Sequence, residues 1–234
     1  MNPKNRTLII MLAVLGVIVV VGAVAFLLSG DDESSDGVVA EEAAGADPGE
    51  PSSTDGSDGG EAVGETFPVE VTGTPLPPLD DPSADPAVGL ATPVIDGRTF
   101  DGSAMSIGGA TDGPTMYVFL AHWCPHCNDE IPELIELEER GDIPDGLNIV
   151  GISTAVAADR PNYPPSEWLS SMGWPWPAMA DSAESTSFTT FGGTAFPFTV
   201  MADADGTVLG RAAGSRSADD IKDWLDEVLA TASA

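Results

Sequence analysis

Two cysteines separated by two residues are the part of this chain best suited to chemistry. Cys124 and Cys127 enclose Pro125 and His126, and the 234-residue sequence contains no other cysteine. Cysteines at this spacing can close a disulfide across one turn of a helix or open it to a dithiol. Because no third cysteine is present in the sequence to pair with either of them, the pattern predicts a reversible redox couple rather than a structural crosslink.

The segments on either side of the pair indicate a strand followed by a helix. Residues 115–121 are apolar and β-favouring, which is typical of a buried central strand. Residues 125–140 carry apolar side chains at helical spacing. Cys124 should then lie at a helix N-terminus, where free N–H groups and the helix dipole lower the pKa of a thiol. We expect Cys124 to be the attacking sulfur and Cys127, one turn further on, to be the less exposed resolving thiol.

Two neighbours of the cysteines are candidates for supporting roles. His126 can offer the Cys124 thiolate a positive charge or a hydrogen bond, and the alternative is a solvent-exposed turn residue with no role. Trp123, directly before Cys124, is expected to pack beside the sulfur and to contact partners. Together with Pro125 of the motif, these residues form the predicted catalytic set.

The motif and its flanking pieces resemble the thioredoxin superfamily, and more closely its membrane-tethered TlpA-like branch, over roughly residues 87–231. The tetrapeptide itself is similar to the oxidising DsbA type. The matching pieces, in chain order, are Trp123, Pro132, the TlpA-like segment 173–181, Phe196-Pro197-Phe198-Thr199-Val200, the turn at 203–207 and Gly214. The resemblance implies a thioredoxin-like α/β fold, with a mixed central sheet flanked by helices, and thiol–disulfide oxidoreductase activity.

The resemblance also implies a substrate-binding loop. Pro197 matches the cis-proline that lies beside the dithiol and exposes backbone groups to an extended substrate, and Phe196 precedes it. One position departs from the pattern: Val118 stands where thioredoxins keep a buried Asp, six residues before Cys124. The usual internal proton acceptor is therefore missing from this strand.

The predicted domain comprises residues 86–234 and alternates strands with helices, which is typical of a mixed sheet covered by helices. We predict strands near 92–95, 115–121, 147–153, 176–180, 197–202 and 207–211, and helices near 125–140, 165–172, 184–191 and 217–231.

An uncharged segment near the N-terminus predicts a transmembrane anchor. Residues 8–28 would form a helix of about 31 Å, enough for a hydrocarbon core of about 30 Å. Basic residues precede it and acidic residues follow it, so residues 1–7 should be cytoplasmic and the rest extracytoplasmic. The alternative is a cleaved signal peptide, because Ala23-Val24-Ala25 is similar to a cleavage site.

The segment between the anchor and the domain predicts a disordered acidic linker. Residues 29–85 contain sixteen acids and no Lys or Arg, among Gly, Ser, Pro and Ala. Such a composition is too poor in large apolar residues to build a core. The linker would act as a tether for the domain or only as a solubilising spacer.

The charge of the chain restricts its partners. The formal net charge is −30, and residues 86–234 carry 22 acids against six bases. Nucleic-acid binding is disfavoured, because contact with phosphates needs a basic face. The expected partners are extracytoplasmic protein thiols and disulfides and a membrane redox partner, and no cofactor is expected.

Three alternatives to general disulfide exchange remain. The first is a dedicated reductase of apocytochrome c haem-site cysteines, as in TlpA-like relatives. The second is a copper-binding delivery module that uses His122, Cys124, His126 and Cys127 as ligands, although six residues around one turn rarely wrap a metal ion. The third is a peroxidase of the peroxiredoxin type, which is disfavoured because Ala121 stands where that family places a Thr.

Overall fold

An eight-stranded mixed sheet organises residues 64–232, the part of the chain that the computed structural model describes. The strands are β1 Glu70–Thr72, β2 Val94–Thr99, β3 Ala104–Ile107, β4 Thr115–Leu120, β5 Asn148–Ser153, β6 Ala178–Ala180, β7 Phe198–Ala202 and β8 Val208–Ala213. The α-helices described are α1 Pro125–Glu139, α2 Pro165–Ser171, α3 Thr186–Thr190 and α4 Ala218–Ala232. A short 3-10 turn spans Pro82–Ala84.

Strand β4 lies near the middle of the sheet and places the dithiol. The strand order is β1-β2-β6-β5-β4-β7-β8, and β3 pairs with β2 outside this path. β4 is parallel to β5 and antiparallel to β7, and β5 is parallel to β6. All six residues of β4 are buried. The chain therefore leaves the centre of the sheet immediately before it reaches Cys124.

The sheet has a core on each face, because successive side chains of a strand point to opposite sides. Met116, Val118 and Leu120 face the core that contains apolar residues of α1, α2 and α4. Tyr117 and Phe119 face the second core, which Phe191 at the end of α3 and the leucines of the N-terminal segment complete. The predicted α/β architecture is confirmed, with helices packed on both faces of the sheet.

The N-terminal segment corrects the predicted domain boundary at residue 86. Leu76 and Leu79 are each 4% exposed, and their N–H groups donate to the carbonyls of Thr190 and Gly192. Full burial of a leucine contributes about 1.5–3 kcal/mol. The prediction of a disordered linker is therefore wrong for residues 64–85, because two leucines in a Pro-rich stretch find an apolar site on the sheet.

The remaining N-terminal predictions concern residues 1–63, which the structure does not describe. The anchor at residues 8–28 and the linker from 29 to 63 lie outside the described residues. Within residues 64–232, none of the helices has the length and apolar character needed to cross a membrane.

Most predicted elements are present, with differences at the edges. The strand predicted at 92–95 begins at Val94 and continues to Thr99, and the helix predicted at 184–191 is limited to Thr186–Thr190. β1 and β3 are absent from the prediction. Both pair with β2, and both are short, with three residues in β1 and four in β3, so neither offers a run long enough to stand out as a strand.

Candidate active site

Cys124 stands at the junction between β4 and α1, as the sequence predicts. It is the residue directly before the first turn of α1, and its side chain does not cap the helix. The Cys124 side chain is 6% exposed, whereas Cys127 is fully buried one turn further along. Pro125 and His126 are exposed. Both cysteines are therefore buried, and Cys124 keeps a small exposed fraction that Cys127 lacks.

The Phe196-Pro197 loop lies against Cys124. The Phe196-Pro197 peptide bond is cis, which confirms the expectation from the resemblance. The thiol of Cys124 donates to the Phe196 carbonyl at 3.7 Å. The rings of Trp123 and Phe196 meet edge to face, with centroids 5.9 Å apart. The fold thus brings Trp123, Cys124, Phe196 and Pro197 together, although 72 residues separate Cys124 from Phe196.

Glu130 is a buried acid next to the resolving thiol. It lies three residues after Cys127 on the same face of α1 and is only 1% exposed. Burial raises the pKa of Glu130 to about 7, although the charge and the backbone N–H of Arg216 act in the opposite direction. That N–H donates to Glu130 Oε2 at 3.0 Å. Glu130 can therefore exchange a proton near neutral pH.

The environment of Cys127 disfavours its ionisation. Burial raises the pKa of the Cys127 thiol far above its ordinary value, and interactions with Cys124 and with Glu130 add to this effect. Loss of the Cys127 proton consequently needs an acceptor nearby, and Glu130 is an ionisable group on that side of the dithiol.

Glu130 is the functional candidate that the sequence prediction missed. A detectable signal was present, since Glu130 falls on the apolar stripe of α1 together with Cys127, Ile131 and Leu134. A charged residue at such a position needs a partner inside the fold. Strand β4 provides no buried acid, because the fully buried Val118 occupies that position. Glu130 of α1 provides a buried carboxyl group instead.

The two histidines near the dithiol differ in environment. His126 is exposed, and its Nδ1 lies 3.4 Å from Ser215 Oγ. Its role as a thiolate stabiliser stays a prediction. His122 is fully buried: Nδ1 donates to the Pro161 carbonyl at 2.7 Å, and Nε2 accepts from the Ala157 N–H at 3.1 Å.

The copper-binding arrangement considered from the sequence is not formed. Both ring nitrogens of His122 are used by backbone groups. Within residues 64–232, no three or more His, Cys, Asp or Glu side chains are grouped so that they could hold a metal ion.

His122 forms hydrogen bonds with a loop that lies beside the dithiol. The sequence did not predict these contacts. Residues 155–164 follow β5, and we call them the β5 loop. Asn162 Nδ2 donates to the His122 carbonyl at 2.8 Å, and Trp123 Nε1 donates to the Ala155 carbonyl at 2.7 Å. The guanidinium carbon of Arg160 lies 5.0 Å from the centroid of the Trp123 ring. The β5 loop therefore forms one wall of the candidate active site.

These features define a thioredoxin-like domain: a dithiol opens the helix that follows a central strand, and a cis-proline loop lies opposite. A thiol:disulfide interchange protein of Rhodobacter capsulatus, HelX, is 30% identical over 120 residues, which are 51% of this chain and 63% of HelX. The chain thus matches less than two thirds of the length of HelX. No protein-family model matches the chain.

A solved structure shares this fold. A DsbF homologue from Corynebacterium diphtheriae superimposes with a TM-score of 0.51 at 18% identity, covering 67% of this chain and 99% of the other. A thioredoxin-family thiol:disulfide interchange protein from Chlorobium tepidum has a TM-score of 0.47 at 28% identity, covering 62% of this chain and 99% of the other. The fold of the domain is thus thioredoxin-like, and the chain is similar in sequence to a thiol:disulfide interchange protein over 51% of its length.

Proposed function

We propose that this protein is a membrane-anchored, extracytoplasmic oxidoreductase that exchanges disulfides with protein substrates through the Cys124–Cys127 dithiol. The observation that carries the proposal is the unequal environment of the two sulfurs. Cys124 keeps 6% exposure and its thiol donates to the Phe196 carbonyl, while Cys127, one turn further along α1, is fully buried. This arrangement suits one thiol to attack and the other to resolve.

The reaction consists of two thiol–disulfide exchanges. The Cys124 thiolate attacks one sulfur of a substrate disulfide, which breaks the substrate S–S bond, forms a mixed disulfide and releases one substrate thiolate. Cys127 then loses its proton and attacks the Cys124 sulfur. The Cys124–Cys127 disulfide forms, and the second substrate thiolate leaves. Two electrons pass from the dithiol to the substrate, and the reverse sequence oxidises a substrate dithiol.

Glu130 acts in the second exchange. Because the pKa of Glu130 is about 7, a substantial fraction of the carboxyl is ionised near neutral pH and can take up a proton. The Cys127 thiol resists ionisation in its buried position. Transfer of the Cys127 proton to Glu130 as the sulfur attacks avoids a second negative charge in the core.

Trapping of the mixed disulfide tests this proposal. Cys127→Ser should leave substrates attached to Cys124, so non-reducing gels should show adducts that disappear with reductant. Cys124→Ser is the control and should form none. The proposal is refuted when the two variants give the same pattern.

The location of the domain belongs to the same proposal. Residues 8–28 anchor the chain, and the domain faces extracytoplasmic thiols, disulfides and a membrane redox partner. Retention of the full chain in membranes after carbonate washing, together with labelling by a membrane-impermeant thiol reagent, tests the location. Release by carbonate would indicate a cleaved segment.

A dedicated reductase, such as one acting on apocytochrome c cysteines, is the second candidate, and the position of Glu130 favours it. An anionic carboxyl beside the dithiol destabilises thiolates and so favours the disulfide, which makes the dithiol a better electron donor. A reduction potential near about −270 mV supports a reductant, whereas one near about −120 mV indicates an oxidant.

A further inference from the structure

Arg160 is an exposed cation whose charge is not paired within residues 64–232. The ion pairs among these residues involve Arg140, Arg211 and Lys222, and none includes Arg160. Of the other bases, Arg98 donates to the Gly102 carbonyl, and Arg216 lies over Trp224 and interacts with Glu130. Arg98 is likewise exposed and in no ion pair, so what distinguishes Arg160 is its position over Trp123, next to Cys124.

The position of Arg160 is fixed by contacts at both ends of the β5 loop. The Trp123 indole donates to the Ala155 carbonyl near its start, and the Asn162 amide donates to the His122 carbonyl near its end. Ala155 and Asn162 both have left-handed backbones, with φ of 51° and 62°. Such conformations persist where surrounding contacts enforce them. The loop is therefore held at both ends beside Trp123, and Arg160 lies between these two contacts with its guanidinium over the Trp123 ring.

Arg160, Trp123 and Phe196 form a continuous surface next to Cys124, which we call the Arg160 shelf. The guanidinium lies 5.0 Å from the Trp123 ring centroid, and that ring lies 5.9 Å from the Phe196 ring. Phe196 in turn offers its carbonyl to the Cys124 thiol. The shelf thus runs from a cation to the sulfur across two aromatic rings.

We propose that the Arg160 shelf selects protein substrates that carry a carboxylate a few residues from their reactive cysteine. This inference rests on the proposed disulfide exchange and names its substrate class. A guanidinium binds a carboxylate through two parallel hydrogen bonds, and a cation already stacked on an indole loses little freedom when it does so. Trp123 adjoins Cys124, so the carboxylate would sit on the order of 10 Å from the sulfur, or about three residues along an extended chain.

Because the rest of the domain is acidic, we expect this selectivity for a carboxylate to act only over short distances. Acidic groups elsewhere repel an acidic substrate at long range, but salt screens charges more than about 8–10 Å apart. An ion pair formed at contact with Arg160 is screened less. Selection should therefore appear in the rate of exchange with a bound substrate segment rather than as a general attraction to acidic proteins.

Peptide disulfides that differ in one residue test the inference. The full chain, purified in detergent and reduced, is mixed with disulfide-linked peptides that carry Asp or Asn three residues from the cysteine. The ratio of the two second-order rate constants is measured for wild type, Arg160→Gln and Arg160→Glu. Lys222→Gln is the matched control, since it also removes one positive charge, from a side chain on α4 that pairs with Asp226.

The expected result is an Asp-to-Asn ratio above one in wild type and in the Lys222 control. The ratio should fall about three- to fivefold in Arg160→Gln, the upper range for an exposed ion pair, and below one in Arg160→Glu. Equal ratios in wild type and both Arg160 variants overturn the inference and leave the proposed function standing. If wild type reduces neither peptide, the proposed function and the inference both fail.

Discussion

Replacing Glu130 with Gln should change how the stability of this domain depends on pH. Gln keeps the shape of the side chain and can still accept the hydrogen bond from the Arg216 N–H, but it cannot ionise. In the wild type, burial raises the pKa of Glu130 from 4.5 to about 7. The difference between these values corresponds to about 3 kcal/mol of free energy at high pH.

The sign of the effect follows from the raised pKa. Below about pH 4.5, Glu130 is protonated in both the folded and the unfolded chain and does not oppose folding. Between about pH 4.5 and about pH 7, the unfolded chain ionises this carboxyl group while the folded chain keeps it protonated, so the wild type loses stability until both states are ionised. Glu130→Gln lacks this loss and should therefore gain about 2–3 kcal/mol relative to wild type between about pH 5 and about pH 8.

Denaturant unfolding followed by tryptophan fluorescence gives the free energy of unfolding of both proteins across this pH range. Other titrating groups contribute to both proteins alike, so the difference between the curves isolates Glu130. Parallel curves would show that Glu130 does not titrate in this range and would remove it as the proton acceptor. In disulfide exchange near pH 7.5, the same variant should resolve mixed disulfides more slowly by on the order of a hundredfold.

Two further outcomes are expected. Iodoacetamide should label Cys124 before Cys127 in the reduced protein, because Cys127 is fully buried and its pKa is raised; mass spectrometry of early time points checks this, and equal labelling contradicts the assigned roles. Asp85→Ala should lower the free energy of unfolding by about 3–5 kcal/mol, because it leaves the buried guanidinium of Arg211 without its carboxylate. The exposed control Asp80→Ala should change it by less than about 0.5 kcal/mol, and equal small effects would show that the segment ending at residue 85 is not part of the folded domain.

The sequence by itself determined the features that depend on local spacing. An apolar run of strand length, a two-residue gap between cysteines and an apolar stripe of helical period place Cys124 at the start of a helix. The position of the cis-proline loop followed from the resemblance of residues 196–200. Each of these signals is contained in a short segment, so each could be interpreted before the sheet was known.

The tertiary structure decided the features that join distant segments. Asp85 and Arg211 form a buried ion pair although 126 residues separate them, and this pair helps to hold a segment whose composition is typical of disorder. Glu130 became a candidate proton acceptor because the packing of α1 buries its carboxyl group near Cys127, where burial raises its pKa. Arg160 reaches Trp123, next to Cys124, because β5 lies beside β4 in the sheet, so that the loop after β5 meets the start of α1 after β4. The composition of a segment describes that segment alone. Burial and pairing of side chains depend on which strands are neighbours in the sheet.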